Sequence, residues 1–159
     1  MFCGFFNTNK MTFKAQIIAQ YEQRIQDKID AFQDMISSLS ADSKNDAKGS
    51  AGDKHETALS MMHIEQEKLN YKLKDHLYDS LQFSSIDFTK KSTKVQIGSL
   101  VEANAHYFLI AVALPKLIVQ GATVFGISPE SPLAKELIGK EVGHSFTINN
   151  VNYVIVQII

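Results

Sequence analysis

The stretch KGSAGDKHETA, residues 48–58, interrupts a region that otherwise has helical character, and it holds the only two glycines between Phe5 and Ile97. On its N-terminal side Ile18, Tyr21, Ile25, Ile29, Phe32, Ile36 and Leu39 recur in steps of three and four, averaging ~3.5 residues, the period of a coiled-coil seam. On its C-terminal side Leu59, Met62, Leu69, Leu73, Leu77 and Leu81 repeat with similar steps, with Gln66 as a polar interruption. Two helices of matching length, joined by the polar SADSKNDAKGSAG of residues 40–52, predict an antiparallel hairpin. Helices of roughly thirty residues rising ~1.5 Å per residue extend on the order of 45 Å, so the tip is remote from the open end. The apolar residues of both seams are read as the hairpin's own core, with no chemistry assigned to them.

The chain has 159 residues and a net charge of −1, which fits one or two small globular domains and excludes a strongly basic nucleic-acid binder. Cys3 is the single cysteine, so neither an internal disulfide nor a cysteine-based zinc site is expected, and a reducing, cytoplasmic setting follows. The opening MFCGFF is shorter than a signal-peptide core, lacks a basic flank and runs into the polar NTNK. Residues 1–10 therefore read as an N-terminal tail or start-site artefact. No later apolar run has the length of a bilayer span, and no membrane partner is expected.

A composition break divides the chain. All three prolines and four of the eight glycines follow residue 100, whereas Phe13 to Phe83 is proline-free. The hairpin is assigned to residues 11–83 with its tip near 40–56. FSSIDFTKKSTK, from Phe83 to Lys94, has neither helical nor strand period and provides a linker at 84–94. In the C-terminal domain, 95–159, VQIGSLVEA and HYFLIAVAL flank a turn at Asn104 and Ala105. KLIVQGATVFGIS carries two strands around Gln120 and Gly121, and HSFTINNVNYVIVQII is a hairpin about Asn149 and Asn150. SPLAKELIGK is a short helix with Ser131 as N-cap, Pro132 in the first turn and Gly139 as its stop. The expected class is α+β: a helical hairpin followed by a small, mostly antiparallel sheet with one short helix.

The chain has no glycine-rich phosphate loop and no G-x-S-x-G elbow, and HET at residues 55–57 lacks the second histidine of a H-E-x-x-H zinc site. The five histidines have no spaced partners and are read as surface or packing residues. Asp53 and Glu56 remain, three residues apart at a helix start with both carboxylates on one face. Two readings stay open for them. They form a capping-box-like pair, with Ser50 as a competing N-cap, or they offer two oxygen ligands to a hard divalent cation whose remaining ligands come from elsewhere.

At this point the sequence resembles a family. GDKHETA looks like the G-D-x-x-E-N-A tip motif of the GreA/GreB bacterial transcript-cleavage factors. GISPESPLAKELIGKEVGHSFTI is similar to their C-terminal S-x-x-S-P-[IL]-A-x-x-L-I-G-K-x-x-G. The resemblance covers both halves in order. It implies a coiled-coil hairpin followed by an FKBP-like domain, with the hairpin inserted through the secondary channel of bacterial RNA polymerase and the globular domain docked at the rim. In such factors the tip carboxylates help bind a magnesium ion in the polymerase's own active site, where the 3′ end of backtracked RNA is hydrolysed by two-metal chemistry.

Carried over by position, Asp53 and Glu56 match the acidic pair that acts on that shared magnesium, and Ser128, Ser131 and Pro132 fall where the rim contact lies. No cofactor is expected on the isolated chain, which is a monomer and not itself an enzyme on this reading. The sequence departs from the family at Thr57, where Asn is usual, and at Ser60, where Tyr is usual. Lys44 and Lys48 sit on a polar turn in place of an arginine-bearing helix end. These departures define the alternative of a channel-binding regulator without cleavage. A third class, an FKBP-like binding module or isomerase, needs an aromatic-lined pocket built from Tyr107, Phe108, Phe125, Phe146 and Tyr153.

Overall fold

Neither glycine nor proline occurs between Thr12 and Lys48, so nothing in the backbone forces α1 to stop where the apolar seam ends. A computed structural model describes the backbone of residues 12–46 and 52–159 and the side chains of residues 12–41 and 56–159. The predicted tail at 1–10 and the centre of the predicted tip lie outside those residues. Helix α1 spans Phe13–Asp46 and α2 spans Gly52–Ser84, forming a helical hairpin. The polar residues from Ser40 to Asp46, expected in the connection, are helical instead.

Residues Glu22–Leu81 make one compact unit. Along α1, Ile25 and Ile29 are buried, with Phe32, Ile36 and Leu39 half-buried, as the spacing predicts. Along α2 the covered positions are Leu59, Met62, Gln66, Leu69, Leu73, His76, Asp79 and Ser80. Leu77 and Leu81, expected in the seam, are 44% and 68% exposed. Helical geometry gives the reason. Successive steps of four advance about 400° each, so 69, 73, 77, 81 walk off the stripe, whereas alternating four and three stays on it. His76 takes the place of Leu77, its ring centroid 5.1 Å from that of Phe32. Burial pushes the Asp79 carboxyl upward, an effect opposed by His76, reinforced by Asp75 and opposed again by Lys28.

The other unit contains Thr12–Tyr21 and Gln82–Ile159. Its strands are β1 (Leu100–Ala103), β2 (His106–Ile110), β3 (Leu114–Val119), β4 (Ala122–Ile127), β5 (Ser145–Ile148) and β6 (Val151–Ile158), with helix α3 at Pro132–Leu137. They form a six-stranded sheet in the order β3-β4-β2-β1-β6-β5. The three predicted turns are present, and Asn104, Ala105, Gln120, Gly121, Asn149 and Asn150 all have positive φ, the twist-matched geometry of tight hairpins. The sheet is mostly antiparallel, as expected, but mixed: β2 pairs in parallel with β4. Hairpin β3–β4 enters the sheet with β4 inward, and Gly126 permits the fit: a Cβ there would lie 2.8 Å from Leu114 Cβ and 3.0 Å from the Val112 carbonyl oxygen.

Strand alternation separates two apolar faces. On one, Val101, Ala103, Phe108, Ile110 and Ile155 pack with Val95 and with Ala134 and Leu137 of α3. Leu100 and Leu109 alternate to the other and are fully buried. Tyr21, also fully buried, has its hydroxyl 3.1 Å from the Pro115 carbonyl oxygen and 3.2 Å from that of Val124. Phe13 meets Tyr107 edge-on at 4.9 Å, and Phe83 meets Tyr21 at 6.4 Å. Phe83, read as the boundary between hairpin and linker, is 1% exposed and belongs to this core. The segment after it lies in the same compact unit, with Val95 and Lys140 joined by a main-chain bond of 2.9 Å.

Lys14 is drawn into the same structure. Its Nζ donates to the main-chain oxygen of Ile159 at 3.1 Å. Burial lowers its pKa from the ordinary 10.5, with the Asp87 carboxylate partly opposing that shift.

Two outcomes follow from these placements. Phe83→Ala should destabilise the protein by about 3–5 kcal/mol, whereas Leu81→Ala should change stability by under ~0.5 kcal/mol; urea unfolding compares them directly. For Lys14 the sign is set by linkage. Below its lowered native pKa the amine is charged in both states and the burial penalty is present in full. Between that value and 10.5 the native chain releases a proton the unfolded chain keeps, so stability rises with pH. The stability of Lys14→Met relative to wild type should therefore fall as pH increases from neutrality toward that limit, measured by urea unfolding of both proteins at each pH.

Candidate functional site

Helix α2 starts at Gly52, so Asp53 is in its first turn and Glu56 follows one turn later. A helix N-terminus is favourable to negative charge because its first amides have no intrahelical acceptor. Glu56 is exposed, as are Thr57 and Ser60 on the following residues. The side chains of Asp53, His55 and Lys44, and all of Lys48 and Ser50, lie outside the described residues. Among the described residues no group of three or more His, Cys, Asp or Glu side chains could hold a metal ion, and no helix is long and apolar enough to cross a membrane.

The second predicted group surrounds the start of α3. Ser128 Oγ accepts from the Glu130 amide at 3.3 Å, and the Ser128 carbonyl accepts from Ser131 N at 3.0 Å, closing a turn. Ser131 Oγ then accepts from Ala134 N at 3.2 Å, the N-cap bond expected from the sequence. Pro132 opens the helix and is exposed. At the other end Ile138 N donates to Ala134 O at 2.8 Å, and Gly139 N donates to Val95 O at 2.8 Å with φ +82°. Ser128, Ser131 and Pro132 therefore share one short, locally bonded corner.

The structure also assembles a group that spacing did not reveal. On the α3 side of the sheet, rings run in sequence from His106 to Phe125 (5.6 Å), Phe108 (5.7 Å), Tyr153 (6.2 Å), Phe146 (5.2 Å) and His144 (5.9 Å between centroids). Two registers create most of it: Phe108 lies opposite Phe125 in the parallel pair, and Phe146 lies opposite Tyr153 in the β5–β6 hairpin. Phe108 and Tyr153 are separated by β1, where adjacent strands are ~4.8 Å apart, and the small, buried Ala103 lets the two rings lean together. Phe125, Phe146 and Tyr153 are only partly buried, and exposed His106 terminates the row.

No protein family, curated protein or solved structure matches this chain.

Of the five aromatic residues considered for a pocket, four thus share a face. Tyr107 alternates to the other, where burial, the Glu102 charge and the hydrogen bond its hydroxyl donates to that carboxylate raise its phenol pKa. The row is an apolar platform with a polar imidazole at each end. It offers contact area and ring faces, and it contains no nucleophile paired with a base.

The capping role of Ser131 is directly measurable. Ser131→Ala should cost about 1 kcal/mol, within the ~0.5–2 kcal/mol range of N-cap removals, with the native fold retained; urea unfolding reads the loss.

Proposed function

We propose that this chain is a secondary-channel elongation factor of bacterial RNA polymerase, of the GreA/GreB type, that stimulates cleavage of backtracked RNA by the polymerase active site. The observation that carries the reading is the beginning of α2 at Gly52, which sets Asp53 and exposed Glu56 one turn apart at the end of a helical hairpin. The hairpin acts as a coiled coil that enters the channel. The sheet unit is an FKBP-like domain that docks at the channel rim through Ser128, Ser131 and Pro132.

On this reading the carboxylates act in trans. Two carboxylates leave most of the coordination shell of a magnesium ion unfilled, so the ion is shared with the polymerase and the RNA 3′ end. Glu56 and Asp53 hold that ion and orient the attacking water, and the polymerase supplies the rest of the two-metal chemistry. The protein is then not an enzyme by itself. The partly exposed ring row supports the docking role of the sheet unit, since aromatic faces supply contact area at low entropic cost.

A second reading, a channel-binding regulator without cleavage, is favoured by exposed Thr57 and Ser60 at the positions where the family carries Asn and Tyr. The two are separated by incubating stalled, backtracked elongation complexes with the wild-type chain and with Asp53→Asn/Glu56→Gln. The first reading expects shortened transcripts on a denaturing gel, formed at least about tenfold faster with wild type, equivalent to ~1.4 kcal/mol of barrier. Polymerase binding by both proteins without cleavage by either selects the second reading.

A further inference from the structure

Helix α2 carries a second apolar stripe that the hairpin does not use. Met61, Ile64, Tyr71 and Tyr78 are 67%, 54%, 64% and 65% exposed. Ile64, Tyr71 and Tyr78 recur every seven residues, and with Met61, Lys68 and Asp75 they form a complete a/d pattern over three heptads. The stripe lies nearly opposite the covered positions Met62, Gln66, Leu69, Leu73 and His76 on the helical wheel. Solitary exposed apolar side chains are ordinary on protein surfaces, but four large apolar side chains at heptad spacing, interrupted by Lys68 and Asp75, have the pattern of a helix-pairing face.

The charges beside the stripe indicate what it pairs with. Glu65 and Glu67 flank its N-terminal half, and Lys72 and Lys74 flank its C-terminal half; all four are exposed. Tyr71, Glu67 and Lys74 also line a shallow groove of about 330 Å³, with His63, Gln66 and Asn70. A two-fold axis between Lys68 and Tyr71 turns an identical α2 end for end. Glu65 then faces the second copy's Lys72, and Glu67 faces its Lys74, each pairing occurring twice. In the seam Met61 meets Tyr78, and Lys68 lies against the Tyr71 ring, a cation–π arrangement. Parallel pairing would instead set Lys68 against Lys68 and Asp75 against Asp75 in the seam.

We infer that this face of α2 is a self-association surface, whose occupant is the same face of a second copy of the chain in antiparallel orientation. The occupant is self-complementary in both shape period and charge, as an isologous interface requires. Ile64 opposite Asp75 is its least favourable layer, and three heptads of one helix bury less than the ~800 Å² per partner of a standard interface. The dimer is accordingly weak, with half-association on the order of 10–100 μM. It contrasts with the monomer expected when only the hairpin seams are counted, and it stands independently of the polymerase reading.

Sedimentation velocity of the full chain from 1 to 500 μM, a range set around that ~10–100 μM midpoint, tests the inference, with circular dichroism to verify that each variant keeps its helices. Wild type should show monomer–dimer exchange. Glu65→Lys/Glu67→Lys and Lys72→Glu/Lys74→Glu should each self-associate at least tenfold more weakly, and their equimolar mixture should recover a heterodimer. In a Cys3→Ser background, Met61→Cys mixed with Tyr78→Cys should cross-link on oxidation, whereas Met61→Cys alone should not. A wild-type chain that stays monomeric throughout, a dimer indifferent to both charge reversals, or cross-linking of Met61→Cys with itself overturns the inference.

Discussion

A fully buried tyrosine hydroxyl fixes the register of α1 on the sheet. Tyr21 has no solvent exposure, so its hydroxyl must find a protein partner, and leaving it without one would cost on the order of 1–3 kcal/mol. Its single proton can be given to the Pro115 or the Val124 carbonyl, at 3.1 and 3.2 Å, which lie on adjacent strands β3 and β4. Sliding α1 by one residue would rotate that hydroxyl about 100° away from both acceptors. The buried neighbours Ile17 and Lys14 lie one and two turns before Tyr21 on the same stripe and depend on the same register. The apolar ring surface supplies most of the favourable energy, and the hydroxyl decides which arrangement receives it.

What was legible in the sequence was local. The residues Asn104–Ala105, Gln120–Gly121 and Asn149–Asn150 adopt positive φ and reverse the chain where their turn chemistry indicated. Ser131, Pro132 and Gly139 bound α3 because capping is decided within a few residues of the helix end. The α1 seam was readable from Tyr21 to Leu39, whereas at its start the fully buried isoleucine is Ile17 and the expected Ile18 is only half-buried. Helix α2 misled because Leu77 and Leu81 are the more hydrophobic residues, while the geometry covers His76 and Ser80. Hydrophobicity was a poor guide on a helix that carries two apolar faces.

The rest required pairings that no local pattern encodes. Parallel contact between β2 and β4 depends on how an entire hairpin enters the sheet, and only that contact brings Phe108 onto Phe125. The ring row accordingly needs β2, β4, β5 and β6 together. For the candidate tip, Asp53 and Glu56 were identified by spacing and resemblance, and the start of α2 gives their backbone positions. The sheet's margins obey a simpler rule. Edge strand β3 carries Pro115 and Lys116, and the other edge, β5, has only four residues; both features discourage an incoming strand.

The order in which the chain is made gives the Tyr21 anchor a further meaning. Its two acceptors are 94 and 103 residues downstream, so at roughly 5–20 residues per second the first helix waits on the order of 5–20 s after synthesis for its partners to be polymerised. Throughout that interval Ile17 and Tyr21 have no sheet to cover them. The nascent helix is then an apolar surface at the ribosome, and the emergence of β3 and β4 ends its exposure.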